Sequence, residues 1–356
     1  MSSYFFFSGL TFVLAVLFVY LVLLFSRKKA LYDHIDERKI HTGQIPRLGG
    51  VGFITAYVGM VLFLTLFGVW NQYTGISFIL LLTAMVLILV FGIWDDLKPL
   101  RARYKFGIQV LAAILVSVAG YRFTRITFGT NEFSLVLGWF SWPLTILWIV
   151  GIINAINLID GVDGLSGGIS IIILLSYSLV YSYYGNIHAA ALSLLLVAAI
   201  LGFLVFNFPA PQAKIFMGDT GSQFLGFFIA LIPLMETPSL GYSRVALPYA
   251  AGLTLFPIFD TFAAIWRRTR DSKKIYEPDR EHTHHKLLAL GFKAIQIDAI
   301  LYGVQLLSAA CIILALTLAP ALQLGLLLAA YAVVAVFFTI LHYAYTHKVK
   351  GKQGKI

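Results

Sequence analysis

Residues 154–168 read NAINLIDGVDGLSGG and lie between two apolar runs, 139–150 and 169–184. Four polar side chains stand three residues apart at the mouth of a hydrophobic segment: Asn154, Asn157, Asp160 and Asp163. Unpaired carboxylates at such a place are costly, so we expect them to bind something. A helix turns by roughly 100° per residue, so one straight helix cannot direct all four to one point. The glycines after Asp160 therefore predict a backbone break that lets Asp160 and Asp163 converge.

The composition decides the class of protein. A length of 356 residues would suit two soluble domains, but 60% of the residues are hydrophobic, 12% are charged, and the mean hydropathy is +0.87. These values predict an all-α polytopic membrane protein. A single cysteine, Cys311, excludes a disulfide framework and a thiolate-ligated zinc site. We expect the net charge of +10 to face anionic lipid and anionic substrates rather than nucleic acid.

The apolar segments predict eleven transmembrane helices in one domain that covers residues 1–356. Each segment is near the ~20 residues that a bilayer requires. The segments are 4–26, 48–70, 76–94, 104–121, 139–159, 167–185, 187–208, 219–236, 245–265, 297–318 and 321–346.

The positions of Lys and Arg predict the orientation. With the N-terminus outside and the C-terminus in the cytoplasm, 23 of the 26 basic residues fall on inner segments, and Arg122, Arg125 and Arg244 fall outside. Of the 16 acidic residues, only Glu132 and Glu236 fall outside. One-sided access is expected of an enzyme with cytoplasmic substrates, whereas a transporter should place ionisable groups near the middle of the bilayer. The predicted cytoplasmic loops with the acidic motifs are 27–47, 95–105, 154–166, 207–220 and 266–296.

The loop 95–105 begins with an acid pair and ends with a lysine. Asp95 and Asp96 follow an apolar span directly, and Lys105 opens the next span. Adjacent acids repel each other when both are ionised, unless a cation or metal is near, so one of them is a candidate general base. Lys105 can balance a phosphate charge at the same depth. From this loop alone, a cluster of salt bridges is an equally good interpretation.

The loop 207–220 carries Asp219 just ahead of an apolar helix. An Asp at a helix start is most often an N-cap. If Asp219 faces Asp160 and Asp163, it can instead complete an oxygen-ligand set of the kind that Mg²⁺ prefers. Phe216 lies one turn away and offers an aromatic face for a base.

The loop 266–296 contains a histidine cluster. His282, His284 and His285 lack the cysteine partners that a typical structural zinc site would add. Together with Arg280 they are expected to recognise a phosphate or a sugar, the alternative being a solvated surface cluster. Active sites for metal-assisted phosphoryl transfer typically combine acidic side chains with lysine, arginine and histidine, and this chain has all of them at one membrane face.

These motifs together resemble the polyprenyl-phosphate N-acetylhexosamine-1-phosphate transferases over essentially the whole chain. The resemblance rests on PRLGG at 46–50, the acid pair at 95–96, NAINLIDGVDGL at 154–165, FMGDTGS at 216–222 and DREHTHH at 279–285. It implies ten or eleven spans in the bacterial cytoplasmic (inner) membrane and a cytoplasmic site that depends on Mg²⁺, with Mn²⁺ as a substitute. The implied reaction moves a sugar 1-phosphate from a UDP-sugar to a polyprenyl phosphate and releases UMP.

The resemblance also implies roles for single residues. Asp219 is the implied metal ligand and Asp163 the second. Asp160 and Asn157 are implied contacts on the nucleotide side, and Phe216 is the ring that stacks on uracil. The acid pair Asp95 and Asp96 is implied to act on the lipid-phosphate nucleophile or the metal, and Lys105 to bind phosphate. The implied donor-recognition loop contains Arg280, His282, His284 and His285.

The histidine pattern favours one branch of the family. The muramoyl-pentapeptide branch usually carries three consecutive histidines after an apolar-proline stretch, whereas this chain has PDREHTHH at 278–285. That pattern is typical of the branch that uses UDP-GlcNAc and undecaprenyl phosphate to begin teichoic acid, O-antigen or related polymers. A phospho-N-acetylmuramoyl-pentapeptide transferase and a lipid-linked sugar transporter remain the alternatives. The sequence leaves the downstream polymer and the oligomeric state open, including a homodimer.

Overall fold

The structure, a computed structural model, describes residues 2–32, 45–67, 75–127, 134–208, 212–235, 245–274, 281–318 and 320–350. Helices make up nearly all of the regular structure in these ranges. They are α1 (Ser2–Lys28), α2 (Gly49–Leu66), α3 (Gly75–Leu97), α4 (Ala102–Val118), α5 (Ser141–Ile159), α6 (Leu165–Tyr183), α7 (Ile187–Asn207), α8 (Gly218–Leu231), α9 (Leu247–Leu253), α10 (Leu255–Arg270), α11 (Thr283–Ala289), α12 (Ala294–Thr317) and α13 (Pro320–Tyr345).

The predicted all-α polytopic class is confirmed. In the described part of the chain, eight helices are long and apolar enough to cross a membrane, or nine if the bent pair α9–α10 is one span. The remaining predicted spans correspond to α4, with 17 residues, and α8, with 14. The count of eleven spans and the orientation therefore stay predictions.

Two local predictions need correction. The loop that was expected to begin at Asp95 is shorter, because α3 continues to Leu97 and places both acids in its last turn. No strand is predicted from the sequence, yet β1 (Arg125–Thr127) pairs antiparallel with β2 (Ser134–Val136) between α4 and α5. This short hairpin opposes Ile126 to Leu135.

The span predicted at 245–265 is broken. Helices α9 and α10 meet at an angle of 86° around Thr254. Pro257 has no N–H to donate to the carbonyl four residues earlier, which belongs to Leu253. The side chain of Gln305 on α12 donates to that carbonyl at 2.7 Å, so the break is satisfied by a neighbouring helix. Such replacement of lost backbone hydrogen bonds is what allows a broken helix inside a membrane.

Helix α8 lies at the centre of the bundle and positions the candidate site. Its residues from Thr220 to Leu231 are all buried, against α2, α3 and α5. Gly226 allows the closest approach, because a Cβ there would lie 2.6 Å from the Cα of Ile153 on α5. The end of α5 and the start of α8 are thereby held side by side.

Candidate active site

The predicted break after Asp160 is confirmed. Helix α5 ends at Ile159, residues 160–164 form a turn, and α6 begins at Leu165. Gly164 has a φ of +85°, a left-handed conformation that favours glycine, and its N–H donates to the side chain of Asn207 at 2.9 Å. The turn thus places Asp160 and Asp163 beyond the end of α5 instead of around its circumference.

Asn157, in the last turn of α5, contacts the first turn of α8. Its amide nitrogen donates to Asp219 Oδ1 at 3.1 Å and to Ser222 Oγ at 2.7 Å. Asn154, one turn earlier, donates to Gln109 on α4 at 2.7 Å, and Gln109 donates to Gln223 on α8 at 3.1 Å. These buried amides join α4, α5 and α8 directly behind the acidic residues.

Lys105 joins the two acidic motifs that the sequence places far apart. Its ammonium group forms an ion pair with Asp95 and donates to Asp219 Oδ2 at 2.9 Å. Asp95 is buried and also accepts the backbone N–H of Leu100 at 2.8 Å. These contacts are salt bridges of the kind that the alternative interpretation of the loop 95–105 describes, and phosphate binding by Lys105 stays a prediction.

Asp96 has a different set of partners from Asp95. It accepts the backbone N–H of Asp219 at 2.8 Å, and both the N–H and the hydroxyl of Thr220 at 3.0 and 2.5 Å. Arg47 forms an ion pair with it at 3.1 Å. Asp96 thus caps the first turn of α8 from another helix, the place where a carboxylate complements the helix dipole.

The N-cap interpretation of Asp219 does not hold. The N-cap of α8 is Met217, and Asp219 is the second residue of the helix. Both of its oxygens are directed to Asn157 and Lys105. Its carboxylate is partly exposed, at 23%, whereas that of Asp95 is only 1% exposed. Of Asp95, Asp96 and Asp219, it is accordingly Asp219 that a ligand can reach.

The PRLGG motif lines up beside the segment before α8. Phe216 N–H donates to the carbonyl of Pro46 at 2.7 Å, and the N–H groups of Gly49 and Gly50 donate to Phe216 and Met217 at 2.9 Å each. This ladder holds Arg47 at 3.9 Å from Asp219, in addition to its ion pair with Asp96. The ring of Phe216 is half-buried at the edge of the same cluster.

Asp160 and Asp163 interact electrostatically with this cluster. Burial, together with the neighbouring carboxylates of Asp219 and Asp163, raises the pKa of Asp160 to about 8. The three acids therefore share one electrostatic environment. Asp163 is half-buried in the turn.

The histidine cluster contacts the turn 160–164 on another side. A Cβ on Gly161 would lie 2.7 Å from Cε1 of His284, so α11 packs tightly on this turn. His284 is buried, and the burial lowers its pKa to about 3, which leaves the imidazole neutral at physiological pH. His285 lies 4.2 Å from His284 between ring centroids. Arg280 lies outside the described residues.

Among the predicted site residues, His282 has contacts that stabilise the fold. It is buried, and its Nδ1 lies 2.6 Å from the carboxylate of Asp260 on α10. Asp260 also accepts the N–H and the hydroxyl of Thr283 at 2.8 and 2.6 Å. Asp260 therefore holds the start of α11 against α10.

Three contributors to the site are not predicted from the sequence. Arg47 is missed, although the PRLGG motif marks its position. For Ser222, only its position in the motif FMGDTGS indicates a place in the site. Asp260 is missed because it lies within an apolar span, where an unexplained acid is itself the signal that was available.

The oxygen donors of the site bear on whether it can hold a divalent metal. In the described part of the chain, no group of three or more His, Cys, Asp or Glu residues is arranged to hold a metal ion. The direct contacts and charge interactions do connect five carboxylates with two basic side chains, Arg47 and Lys105. The carboxylates are Asp95, Asp96, Asp160, Asp163 and Asp219. This excess of negative charge fits a hard divalent cation, which binds carboxylate, water and phosphate oxygens.

Comparisons with known proteins agree with the resemblance that the motifs indicate. Residues 78–236 match glycosyl transferase family 4. The chain is 35% identical over 262 residues to a probable undecaprenyl-phosphate N-acetylglucosaminyl 1-phosphate transferase of Bacillus subtilis, covering 73% of this chain and 70% of that protein.

Two undecaprenyl-phosphate alpha-N-acetylglucosaminyl 1-phosphate transferases are also similar. That of Haemophilus influenzae is 33% identical over 75% of this chain and 74% of its own length. That of Escherichia coli K12 is 28% identical over 79% of this chain and 76% of its own length. The resemblance expected from the motifs is thus confirmed, and the chain belongs to glycosyl transferase family 4 as one of the polyprenyl-phosphate N-acetylhexosamine-1-phosphate transferases.

Proposed function

We propose that the protein transfers N-acetylglucosamine 1-phosphate from UDP-GlcNAc to undecaprenyl phosphate. The products are undecaprenyl-diphosphate-GlcNAc and UMP, and the reaction is the first membrane step of a cell-envelope polysaccharide. The observation that carries the proposal is the convergence of Lys105, Asp95, Asn157 and Asp219 from four helices. The names of the relatives supply the donor and the acceptor.

The proposed reaction is a single phosphoryl displacement. An oxygen of the lipid phosphate attacks the β-phosphorus of UDP-GlcNAc and forms the new P–O bond. The bond between the β-phosphorus and the bridging oxygen breaks, and the electron pair leaves with UMP. Such reactions require mainly positioning and charge neutralisation. A direct attack is supported by Asp95 and Asp96, whose carboxylates are engaged by Lys105, Arg47 and backbone amides and are not free to act as nucleophiles.

The basic side chains are proposed to bind the phosphates. Lys105 and Arg47 both approach Asp219, at 2.9 and 3.9 Å. Donor and acceptor phosphates would compete with the carboxylates for these cations, and arginine can bind a phosphate through two parallel hydrogen bonds. Asp95 would then orient Lys105, and Asp96 would fix Arg47 and the start of α8.

The nucleotide and sugar are proposed to lie between Phe216 and the histidines. Phe216 would stack on uracil, and Asn157 and Asp160 would contact the nucleotide side. His284 and His285, with Arg280, would recognise the donor. The neutral imidazole of His284 suits hydrogen bonding to phosphate or hydroxyl oxygens better than charge pairing.

Family members generally need a divalent metal, and we propose Mg²⁺, with Mn²⁺ as a substitute. Asp219 and Asp163 would hold the ion, because both are partly exposed and both interact with Asp160. When bound, the ion would neutralise charge on the diphosphate that develops during transfer. The remaining ligands would be water and phosphate oxygens.

The protein is a multi-pass membrane protein, and we propose that it lies in the bacterial cytoplasmic membrane with the site on the cytoplasmic face. Support comes from the 23 basic residues of the predicted inner segments. Residues 1–356 are proposed to form one catalytic domain in contact with membrane lipid and without a nucleic-acid partner. A homodimer stays a prediction.

A panel of UDP-sugars tests the proposal. Purified protein with undecaprenyl phosphate and Mg²⁺ should release UMP from UDP-GlcNAc, and omission of lipid or metal should abolish it. Release only from UDP-MurNAc-pentapeptide would favour the muramoyl alternative, and no release from any donor would favour a transporter. A stoichiometric burst of UMP without acceptor lipid would replace the single displacement by a covalent intermediate.

A further inference from the structure

An apolar cleft lies between α2 and α3, away from the residues that are proposed to bind nucleotide and metal. Both helices pack closely on α8 near the site, α2 through Gly50 and α3 through Gly92. Farther from the site they border a cavity of about 650 Å³, counted with its open side, which is a usual size for a ligand pocket. None of the residues described around this cavity is charged. The lining includes Val58, Leu62, Leu82, Met85, Phe228 and Leu231.

The face of α2 that lines the cavity continues towards Arg47. Val58 and Leu62 line the cavity, and Val51 lies two turns before Val58 on the same face of the helix. Val51 is only half-buried, so other helices do not cover this face completely. At 1.5 Å per residue, Val58 is about 14 Å along α2 from Gly49, its first residue. The cavity therefore begins about two and a half turns beyond the segment that carries Arg47.

The face of α3 that lines the cavity leads to the partner of Arg47. Met85 lines the cavity, and Leu89 and Ile93 follow it at four-residue intervals on the same face. Both are half-buried. Asp96 is in the last turn of α3 and pairs with Arg47 at 3.1 Å. The two faces of the cleft therefore converge on this ion pair of the candidate site.

This shape suits a long apolar chain with an anionic head. Helices α2 and α3 are each apolar enough to cross a membrane, so the cleft lies at the depth of the hydrocarbon. The relatives are named for a polyprenyl phosphate acceptor. The phosphate of such an acceptor must reach polar groups while its chain stays in an apolar environment. A cleft that leads from hydrocarbon to Arg47 meets both requirements.

We propose that the cleft between α2 and α3 binds the polyprenyl chain of the acceptor, with the acceptor phosphate at Arg47. The inference rests on the proposed function and deepens it, because it locates the lipid substrate of that reaction. Val58, Leu62 and Met85 contact the chain beyond the isoprene units next to the phosphate. Membrane lipid is as apolar as the cleft, so close packing instead of the hydrophobic effect favours the bound chain.

Photo-crosslinking tests the location of the chain. The probe is an undecaprenyl phosphate analogue that carries a diazirine in the middle of its chain. Full-length protein in nanodiscs of phosphatidylcholine and phosphatidylglycerol is irradiated with this probe, and labelled peptides are identified by mass spectrometry. Labels should lie on α2 and α3 at the cleft. Unlabelled undecaprenyl phosphate should displace them, whereas a larger fraction of phosphatidylglycerol should not.

Two tryptophan variants of neighbouring residues form a matched pair. Met85 lines the cavity, whereas Val86 is 44% exposed on the same helix and is not part of the lining. Met85→Trp should reduce labelling at the cleft and raise the KM for undecaprenyl phosphate about threefold or more, because the indole occupies space that the chain packs into. The KM for UDP-GlcNAc should stay unchanged. Val86→Trp should change neither quantity. Leu62→Trp, on the opposite wall, replaces Met85→Trp if that variant does not fold.

Three outcomes would overturn the inference. The first is labelling only outside the cleft by an analogue that supports UMP release. The second is cleft labelling that phosphatidylglycerol displaces as well as undecaprenyl phosphate does, which would make the cleft a site for membrane lipid in general. The third is an equal effect of Met85→Trp and Val86→Trp, because added bulk on α3 and not the cavity would then explain the change.

Failure of the inference and failure of the proposed function are distinguishable. UMP release from UDP-GlcNAc by the natural protein tests the function in the same nanodiscs. Specific labelling of the cleft without UMP release would retain the chain-binding site and contradict the proposed reaction. UMP release with labels elsewhere would retain the reaction and place the chain outside the cleft.

Discussion

The carboxylate of Asp96 accepts the backbone N–H of Asp219 at 2.8 Å, which ties the last turn of α3 to the first turn of α8. The two acids of the pair at 95–96 therefore have different tasks. Asp96 holds the backbone of Asp219, whose side chain is partly exposed in the site. Asp95 holds Lys105, which contacts that same side chain.

The different roles of Asp96 and Asp219 predict that their alanine variants differ in stability. Asp96→Ala should lower the free energy of unfolding by about 2 kcal/mol or more, because a lost cap costs roughly 1 kcal/mol and each buried donor without an acceptor about 1–3 kcal/mol. Asp219→Ala should leave stability nearly unchanged, since it removes a partly exposed side chain. The thermal unfolding midpoints of both variants check this. Equal midpoints would contradict the capping role of Asp96.

Asp219 should be required for turnover with metal. Asp219→Asn keeps the shape and the contact to Asn157 but loses the charge that a divalent cation needs, so UMP release should fall at least about 100-fold. Saturating Mg²⁺ should not restore it. Ser222→Ala is the matched control on the same helix, because it removes the other hydrogen bond of Asn157 and should lose much less activity. A near-normal rate in Asp219→Asn would remove this residue from the metal site.

Phe216 should affect donor affinity more than chemistry. Stacking of a base on an aromatic ring is worth about 1–3 kcal/mol, so Phe216→Ala should raise the KM for UDP-GlcNAc about tenfold while kcat changes little. Phe216→Tyr keeps the ring and should keep the KM. The backbone of residue 216 bonds to Pro46 and Gly49 in every variant, which limits structural side effects. A collapse of kcat at constant KM would contradict the stacking role.

Local chemistry explains which parts of the site are predictable. The break after Asp160 follows from glycines and acids that are neighbours in sequence, and the structure contains it at Gly164. The ion pair of Lys105 with Asp95 agrees with the salt-bridge interpretation of the loop 95–105, in which opposite charges at one membrane face pair. Both predictions depend only on residue type and on a shared depth in the membrane.

Long-range partners explain what is not predictable. Asp96 caps a helix 123 residues away, so no local pattern distinguishes it from Asp95. Asp260 is 22 residues from His282, and the pair is formed only when α10 and α11 pack together. The break at Thr254 has a local signal in Pro257, but its stabilisation depends on Gln305 of another helix.

His284 should make stability depend on pH. Its pKa is lowered to about 3 by burial, whereas an unfolded histidine has a pKa near 6.5. The unfolded chain therefore binds one more proton below pH 6.5, and stability falls as the pH falls. Between pH 7.5 and 5.5 the loss is about 1.4 kcal/mol. His284→Gln should lack this part of the slope in unfolding experiments, and an unchanged slope would contradict a buried neutral imidazole.

The last prediction concerns how the acid pair contributes to the reaction. A phosphate monoester has a second pKa near 6, by analogy with phosphorylated side chains, so the lipid phosphate is mostly dianionic at pH 7. The attack by the lipid phosphate therefore does not require a strong base at pH 7. General-base catalysis is typically worth about 10²–10⁴-fold, and fixed charges around a phosphate can contribute as much. Because Asp95 holds Lys105 and Asp96 holds Arg47, we expect the pair to orient these cations.

The pH dependence of UMP release separates the two roles. If the pair orients, Asp95→Asn and Asp96→Asn should each lose rate by a constant factor from pH 6 to 9. If either acid removes a proton from the lipid phosphate, its variant should recover as rising pH deprotonates the phosphate without help. Lys105→Met provides the comparison, because it removes the cation that Asp95 holds and should reproduce a pH-independent loss. Recovery of Asp95→Asn alone at high pH would assign Asp95 as a general base.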